Sequence, residues 1–291
     1  MAKRLKAVIM AGGEGTRLRP LSLGSPKPMT PLLGRPVMEH IINLLRSHGI
    51  TDICVTLCYK PQAVMDYFGG GERLGVRLTW FTEDEPLGTA GSVKGCMDHL
   101  GEGDFLVISG DCVCDLDLTA LLRFHQERGA QATLALYRHP SPLEYGLVLT
   151  GEQGRVERFV EKPGWGQVFT DQINTGIYIL SPEAMARVPQ GEVFDFGKDL
   201  FPALLREFKL ADGDLIGNAL FTLQFAQFLR IFAALHPPPY AHAAADLKRR
   251  SKTGVAPPGN TGNIIGFAVR TVHRNQKIGD LPPQGSLSID R

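Results

Sequence analysis

The stretch Val8-Ile9-Met10-Ala11-Gly12-Gly13-Glu14-Gly15-Thr16-Arg17-Leu18-Arg19-Pro20, continued by Leu21-Ser22-Leu23-Gly24-Ser25-Pro26-Lys27-Pro28, decides how this chain reads. An apolar run ends at Ala11, a loop with glycines at 12, 13 and 15 follows, and Arg17 and Lys27 bring two cations to the same region. Glycines let backbone N–H groups approach phosphate oxygens, and a tight turn there forms an anion-binding nest. Arg17 can hold a phosphate through a two-pronged fork, with Lys27 as a point charge. A plain turn between strand and helix would account for the glycines alone. It would leave the two cations unexplained, and also Pro20, Pro26, Pro28 and Pro31, which stiffen the loop. The pattern predicts a triphosphate site.

Two other phosphate loops are excluded. A dinucleotide fingerprint needs a further glycine where Leu18 stands, and an acidic residue at the end of a second strand; Glu39 lies inside a helical pattern instead. A P-loop needs Gly-Lys-Ser/Thr, which Gly15-Thr16-Arg17 does not supply. A nicotinamide oxidoreductase is disfavoured on the same grounds.

Outward from the loop, strands and helices alternate. Leu5 to Met10 reads as a strand buried on both faces. Val37, Ile41, Leu44, Leu45 and His48 mark a helix that ends at Gly49. Strands follow at 53–57, 78–81, 105–109 and 132–137, and helices at 63–68, 89–100 and 118–128. This spacing predicts an α/β, doubly wound, mostly parallel Rossmann-like sheet. In such a sheet ligands sit at the carboxyl ends of the strands. The glycine loop, the Glu83–Gly91 segment and Asp111 all fall on that edge. From Tyr145 the strands shorten (146–149, 156–161 and 175–180), predicting a smaller mixed or antiparallel lobe closed by a helix over 196–208.

The stretch Ala11 to Pro20 with Pro26-Lys27-Pro28-Met29 resembles the signature of the sugar-1-phosphate nucleotidylyltransferases. The resemblance implies transfer of a nucleoside monophosphate from a triphosphate to a sugar 1-phosphate, with release of pyrophosphate. Glu83-Asp84-Glu85-Pro86-Leu87-Gly88-Thr89-Ala90-Gly91 looks like the base-reading segment of the mannose-1-phosphate guanylyltransferase branch. GTP and mannose 1-phosphate are therefore the expected substrates. Glucose-1-phosphate thymidylyl- or uridylyltransfer is the alternative.

The resemblance places nucleotide contacts at Ala11, Gly12, Gly13, Gly15, Thr16, Glu83, Gly88 and Thr89, and catalytic cations at Arg17 and Lys27. Thr89 and the neighbouring backbone N–H groups, at a helix start, are expected to be open to a base or phosphate. Asp111 follows the buried run Phe105–Gly110 and offers a hard oxygen ligand for Mg²⁺. Three further motifs match the sugar side in the expected order: Glu144-Tyr145-Gly146, Phe159-Val160-Glu161-Lys162-Pro163 and Asn174-Thr175-Gly176. Sugar-phosphate contacts are thus implied at Tyr145, Gly146, Glu161, Lys162, Asn174 and Thr175.

The resemblance runs to about Phe208. Relatives carry a Trp-x-Asp-Ile-Gly motif beyond that point, whose aspartate is the second metal ligand. Asp214 in Asp212-Gly213-Asp214 is the faint echo of it here. A nucleotide or sugar-phosphate binder with impaired catalysis is the reading that follows if the ligand is missing. No glutamate occurs after Glu207. Residues 219–235 read as an apolar helix with a thin polar stripe, followed by a Pro/Gly-rich remainder. The expected division is a nucleotidyltransferase domain over 1–209 and an atypical tail over 210–291, such as a shifted reading frame would produce.

In a chain of 291 residues, a net charge of +1 gives no electrostatic reason to expect nucleic acid or an anionic membrane as partner. Five cysteines without zinc spacing or a secretion signal suggest reduced thiols and a cytoplasmic location. Cys112-x-Cys114 reads as small buried filler. A homo-oligomer is compatible with all of this.

Overall fold

Strand β1 (Lys6–Met10) is an interior strand of the central sheet, with Ala7, Val8 and Ile9 wholly buried. The structure, a computed structural model, describes residues 4–13, 26–210 and 220–224. After β1 come a small hairpin, β2 (Pro31–Leu32) and β3 (Arg35–Pro36), and helix α1 (Val37–Ser47). Then follow β4 (Asp52–Leu57), α2 (Pro61–Phe68), β5 (Arg77–Thr82), α3 (Gly88–Lys94), α4 (Met97–Leu100) and β6 (Phe105–Ser109). Helix α5 (Leu118–Arg128) has Asp117 at its start, whose side chain accepts from the Ala120 N–H, and Gly129 in the left-handed conformation at its end. The remaining elements are β7 (Ala132–Arg138), β8 (Leu147–Thr150), β9 (Val156–Val160), β10 (Gln172–Leu180), α6 (Pro182–Met185), α7 (Phe201–Leu210) and β11 (Leu220–Gln224).

The central sheet runs β11-β7-β10-β6-β1-β4-β5, with the β8–β9 hairpin joined through β10. Pairing is parallel from β6 through β1 and β4 to β5, while β10 is antiparallel to both β6 and β7. The α/β, mostly parallel sheet expected from the sequence is therefore present. Its antiparallel part grows out of the same sheet.

Successive residues of a strand face opposite sides, and the two cores record this. Ile9, Ile53, Leu106 and Ile108 pack on one face with α1, α2 and α5. Val8, Cys54, Phe105 and Val107 pack on the other, with α3 and the Phe196–Phe201 segment. Strands buried on both faces need apolar side chains at every position, which is why β1 and β6 read as unbroken apolar runs.

Three local expectations change. The helix expected over 89–100 is interrupted at Gly95 and Cys96, where Cys96 N–H turns back to the Val93 carbonyl. Glycine is a weak helix former, and the tighter bond closes the first segment. The helix expected over 196–208 opens with a wide turn, Phe196–Leu200, in which Leu200 N–H reaches the Asp195 carbonyl at 3.1 Å. That turn lets Phe196, Leu200 and Phe201 all point into the core. The apolar helix expected over 219–235 is, over Leu220–Gln224, strand β11, paired in parallel with Ala132–Leu136 of β7. An apolar segment satisfies the open edge of β7 by adding a strand, which helical periodicity cannot do.

No helix among the described residues is long and apolar enough to cross a membrane. All five cysteines are free thiols, with Cys112 and Cys114 in the core as expected.

Leu106 is wholly buried and pairs with Ala7 on one side and Ile179 on the other. Leu106→Ala is expected to lower unfolding stability by about 2–5 kcal/mol, read as a lower urea midpoint with an unchanged slope.

Candidate active site

A cavity of about 660 Å³ opens at the carboxyl edge of the parallel strands. Its walls come from Met10–Gly13 after β1, Cys58–Lys60 after β4, Glu83 after β5 and Ser109–Asp111 after β6, joined by Lys27 and Asp195. The start of the glycine loop is pinned from both sides. Ala11 N–H donates to the Thr56 carbonyl at 2.9 Å, Tyr59 N–H donates to the Gly12 carbonyl at 3.3 Å, and Gly110 N–H reaches the Met10 carbonyl at 2.7 Å.

Of the sites expected from the sequence, Ala11, Gly12, Gly13, Lys27, Glu83, Gly88, Thr89 and Asp111 line this one cavity. Gly15, Thr16, Arg17 and Asp214 lie outside the described residues. The carboxylate of Asp111 is held at both oxygens: Ser109 Oγ donates to Oδ1 at 2.6 Å, and Lys27 Nζ sits on Oδ2. Both side chains of this ion pair are less than one-fifth exposed, so the charges are poorly screened. Among the described residues no group of three or more His, Cys, Asp or Glu side chains gathers as a metal site.

Glu83 turns one oxygen, Oε2, to accept from the Leu87 N–H at 3.2 Å, while Oε1 is buried with no hydrogen-bond partner. Burial pushes the Cys58 thiol up, and the nearby Glu83, Glu85 and Asp84 add to the shift. That thiol therefore stays protonated, and it supplies no activated nucleophile.

The start of α3 departs from the expectation. Thr89 N–H and Thr89 Oγ1 both donate to Asp195 Oδ1 at 3.0 Å, and Ala90 and Gly91 N–H both donate to the Phe194 carbonyl. These N–H groups are taken up by the protein, so this helix end does not present them to a ligand. Gly88 is required here. Its φ is +73°, and an added Cβ would lie 2.7 Å from the Phe194 carbonyl oxygen.

The sugar-side motifs form a second group beside the first. None of Tyr145, Gly146, Glu161, Lys162, Asn174 and Thr175 lines the cavity described above. They are nonetheless brought together: Lys162 N–H donates to the Tyr145 carbonyl at 3.2 Å, and Asn174 N–H to the Gly146 carbonyl at 2.8 Å. Glu161 lies between Gly146 and Gly197, whose missing side chains leave room for its Oε2; a Cβ at either would stand 2.6 Å from that oxygen. Burial pushes the Glu161 carboxyl up, partly offset by Lys162. Lys162 adopts the left-handed conformation at φ +43°, an uncommon state for a non-glycine residue that recurs at functional sites. Asn174 Nδ2 donates to the buried Tyr178 hydroxyl at 2.9 Å. Thr175 Oγ1 donates to the Ala135 carbonyl at 2.7 Å.

Sequence reasoning passed over Tyr59, Lys60 and Asp195, which also line the cavity. The carboxyl-edge rule applied to the loops after β1 and β6 would have drawn attention to the first two, directly after β4. Asp195 stands 84 residues beyond Asp111, in the stretch Phe194–Pro202 that the family resemblance includes without implying a site role for it.

A parallel sheet whose carboxyl edge carries a glycine loop, paired Lys27 and Asp111 and a partnerless glutamate oxygen defines a nucleotide-binding enzyme class. The chain belongs to the nucleotidyl transferase family, whose profile matches residues 6–220. It is 39% identical over 214 residues to a UTP–glucose-1-phosphate uridylyltransferase of Synechocystis sp., covering 69% of this chain and 55% of that one. It is 36% identical over 254 residues to a mannose-1-phosphate guanylyltransferase of Mycobacterium tuberculosis, covering 87% and 66%. Among solved structures it resembles HddC from Yersinia pseudotuberculosis complexed with GMP-PN, with TM-score 0.62 and 27% identity over 76% of this chain and 91% of that one. The chain thus spans just over half to two thirds of the length of these curated relatives. The likeness also continues past Phe208, since the family match reaches residue 220 and an alignment ending at 208 could not cover 87% of the chain.

A raised carboxyl is harder to ionise in the folded chain than in the unfolded one. Its contribution to stability is therefore lost as pH rises from the ordinary value of 4.5 through the raised folded value. Glu161→Gln, neutral throughout, is expected to be more stable than the natural chain at about pH 7, with the difference gone at about pH 4. Urea midpoints at the two values check this; equal midpoints at neutral pH would refute it.

Proposed function

We propose that this chain transfers a guanylyl group from GTP to a sugar 1-phosphate, mannose 1-phosphate foremost, and releases pyrophosphate. The observation that carries the choice of base is Glu83, which lines the cavity and whose Oε1 has no hydrogen-bond partner in the protein. A carboxylate accepts and does not donate. Guanine offers it two adjacent donors, N1–H and the exocyclic amine, whereas uracil and thymine present one N–H flanked by carbonyls that a carboxylate repels. The guanylyltransferase relative and the nucleotide in the HddC structure support the same reading.

In the reaction, an oxygen of the sugar phosphate forms a bond to the α-phosphorus while the bond to the bridging oxygen breaks. Pyrophosphate departs with that electron pair, and no covalent enzyme intermediate is needed. The protein orients the two substrates in line and steadies charge. Backbone groups of Gly12 and Gly13, with Lys27 and Arg17, are the proposed cradle for the triphosphate. Glu161 is suited to accept from sugar hydroxyls, and Lys162 to neutralise the sugar phosphate. Asp111, a hard-oxygen donor facing the cavity, fits Mg²⁺, with phosphate oxygens and water completing the shell; Asp214 is proposed as a second ligand. Bound Mg²⁺ would neutralise charge building on the departing pyrophosphate.

The test is pyrophosphate release with GTP, UTP and dTTP, each against mannose and glucose 1-phosphates. GTP with mannose 1-phosphate is expected to give the highest kcat/KM. Release only with UTP or dTTP and glucose 1-phosphate would overturn the base assignment, and tight GTP binding without release would mark the chain as a binder. Glu83→Gln is expected to reduce the preference for GTP over UTP by about 10- to 100-fold, the scale of one lost two-point base contact.

A further inference from the structure

The two groups of substrate residues are tied together through one short segment, Glu192 to Gly197. On the nucleotide side, Phe194 N–H donates to the Leu87 carbonyl at 2.9 Å, and the Phe194 carbonyl accepts from Ala90 and Gly91 N–H at 2.8 and 2.9 Å. Asp195 Oδ1 accepts from both donors of Thr89, and Thr89 Oγ1 accepts in turn from the Phe196 N–H at 3.0 Å. On the sugar side, the next residues reach the other group. Gly197 abuts Glu161 Oε2, and Phe196 packs on Tyr178 with ring centres 5.2 Å apart. Tyr178 in turn holds Asn174.

Asp195 is the hinge point of this segment. Its Oδ2 lies 3.3 Å from Lys198 Nζ, and its N–H donates to Asp199 Oδ2 at 2.8 Å. Burial alone would raise its carboxyl. The Thr89 bonds and Lys198 outweigh that, and the group is held below the ordinary carboxylate value. One acceptor oxygen, Oδ1, holds both Thr89 donors.

We propose that Asp195 is a positioning residue that couples the nucleotide subsite to the sugar-phosphate subsite, by fixing Thr89 on one side and the Gly197–Glu161 contact on the other. This rests on the function proposed above. A displacement of the Leu87–Gly91 segment by the nucleotide must move Phe194 to Phe196, because six hydrogen bonds join the two. Moving Phe196 and Gly197 changes the pocket around Glu161 and Asn174. Filling one subsite therefore alters the affinity of the other, and the effect is reciprocal.

Calorimetry tests this with mannose 1-phosphate and a GTP analogue carrying a methylene bridge between its α- and β-phosphorus, each titrated alone and with the other bound. In the natural chain each ligand is expected to tighten the other within the usual range of about 5- to 150-fold. Asp195→Ala is expected to bring that factor to about one. Asp195→Asn, which keeps an oxygen acceptor for Thr89, retains most of it. A merely structural role would lower both affinities and the melting temperature while leaving the factor unchanged. A folded Asp195→Ala chain with the natural factor overturns the proposal, as does a natural chain that binds both ligands independently. Where Asp195→Ala does not fold, Thr89→Val, which removes only the hydroxyl bridge, decides by the same factor. Failure of the natural chain to bind either ligand overturns the proposed function itself.

Discussion

Ala7 to Met10 pair in parallel with Ile53 to Thr56 on one side and with Leu106 to Ser109 on the other, and this double pairing governs the geometry of the site. Parallel neighbours point their carboxyl ends the same way, so the loops after β1, β4, β5 and β6 converge on one edge. Strand β10 runs the opposite way between β6 and β7, which delivers its beginning, Asn174 to Gly176, to that same edge. Gly176 accordingly sits against Ser109, where an added Cβ would be 3.3 Å from the serine Cβ. One reversal of strand direction brings the Asn174–Gly176 segment to the edge that carries the cavity.

Two carboxylates of the site stand in ion pairs, and a third has a neighbouring cation. Lys27 answers Asp111, Lys198 answers Asp195, and Lys162 moderates Glu161. In a setting of reduced dielectric such groups need partners, and the two ion pairs supply them to Asp111 and Asp195. Glu161 differs from the other two carboxylates. Its burial is only partly compensated, which costs stability at neutral pH. Glu83 has one oxygen bonded to the Leu87 N–H and one without a hydrogen-bond partner.

The aromatic cluster of Tyr178, Phe196, Phe201 and Phe159 gives these pairs a rigid backing. Phe196 and Phe201 stack at 5.7 Å, and Tyr178 and Phe159 each meet Phe201 at 5.0 and 5.5 Å. The Tyr178 hydroxyl is deeply buried, which pushes its pKa up and keeps it protonated, and its bond from Asn174 satisfies it. Burying a large ring with its polar tip paired is favourable and also orients the group that pairs with it.

Most of the parallel half was legible in the sequence because its signals are local. Unbroken apolar runs such as Phe105–Ile108 report a strand buried on both faces, and a glycine loop or an aspartate directly after such a run reports the ligand edge. The helical reading of residues 219–235 failed over Leu220–Gln224 because apolar content alone cannot tell a helix from a strand offered an open sheet edge. The predicted role of the Thr89 region changed for a related reason. Its donors are claimed by Asp195 and Phe194, more than a hundred residues away, and only chain folding brings those together. The sequence by itself thus determined the sheet and the loops at its carboxyl edge, through periodicity and backbone chemistry, and the family, through its motifs. The tertiary structure alone decided which of those polar groups line the cavity and which are taken up by one another, because that depends on contacts between distant segments.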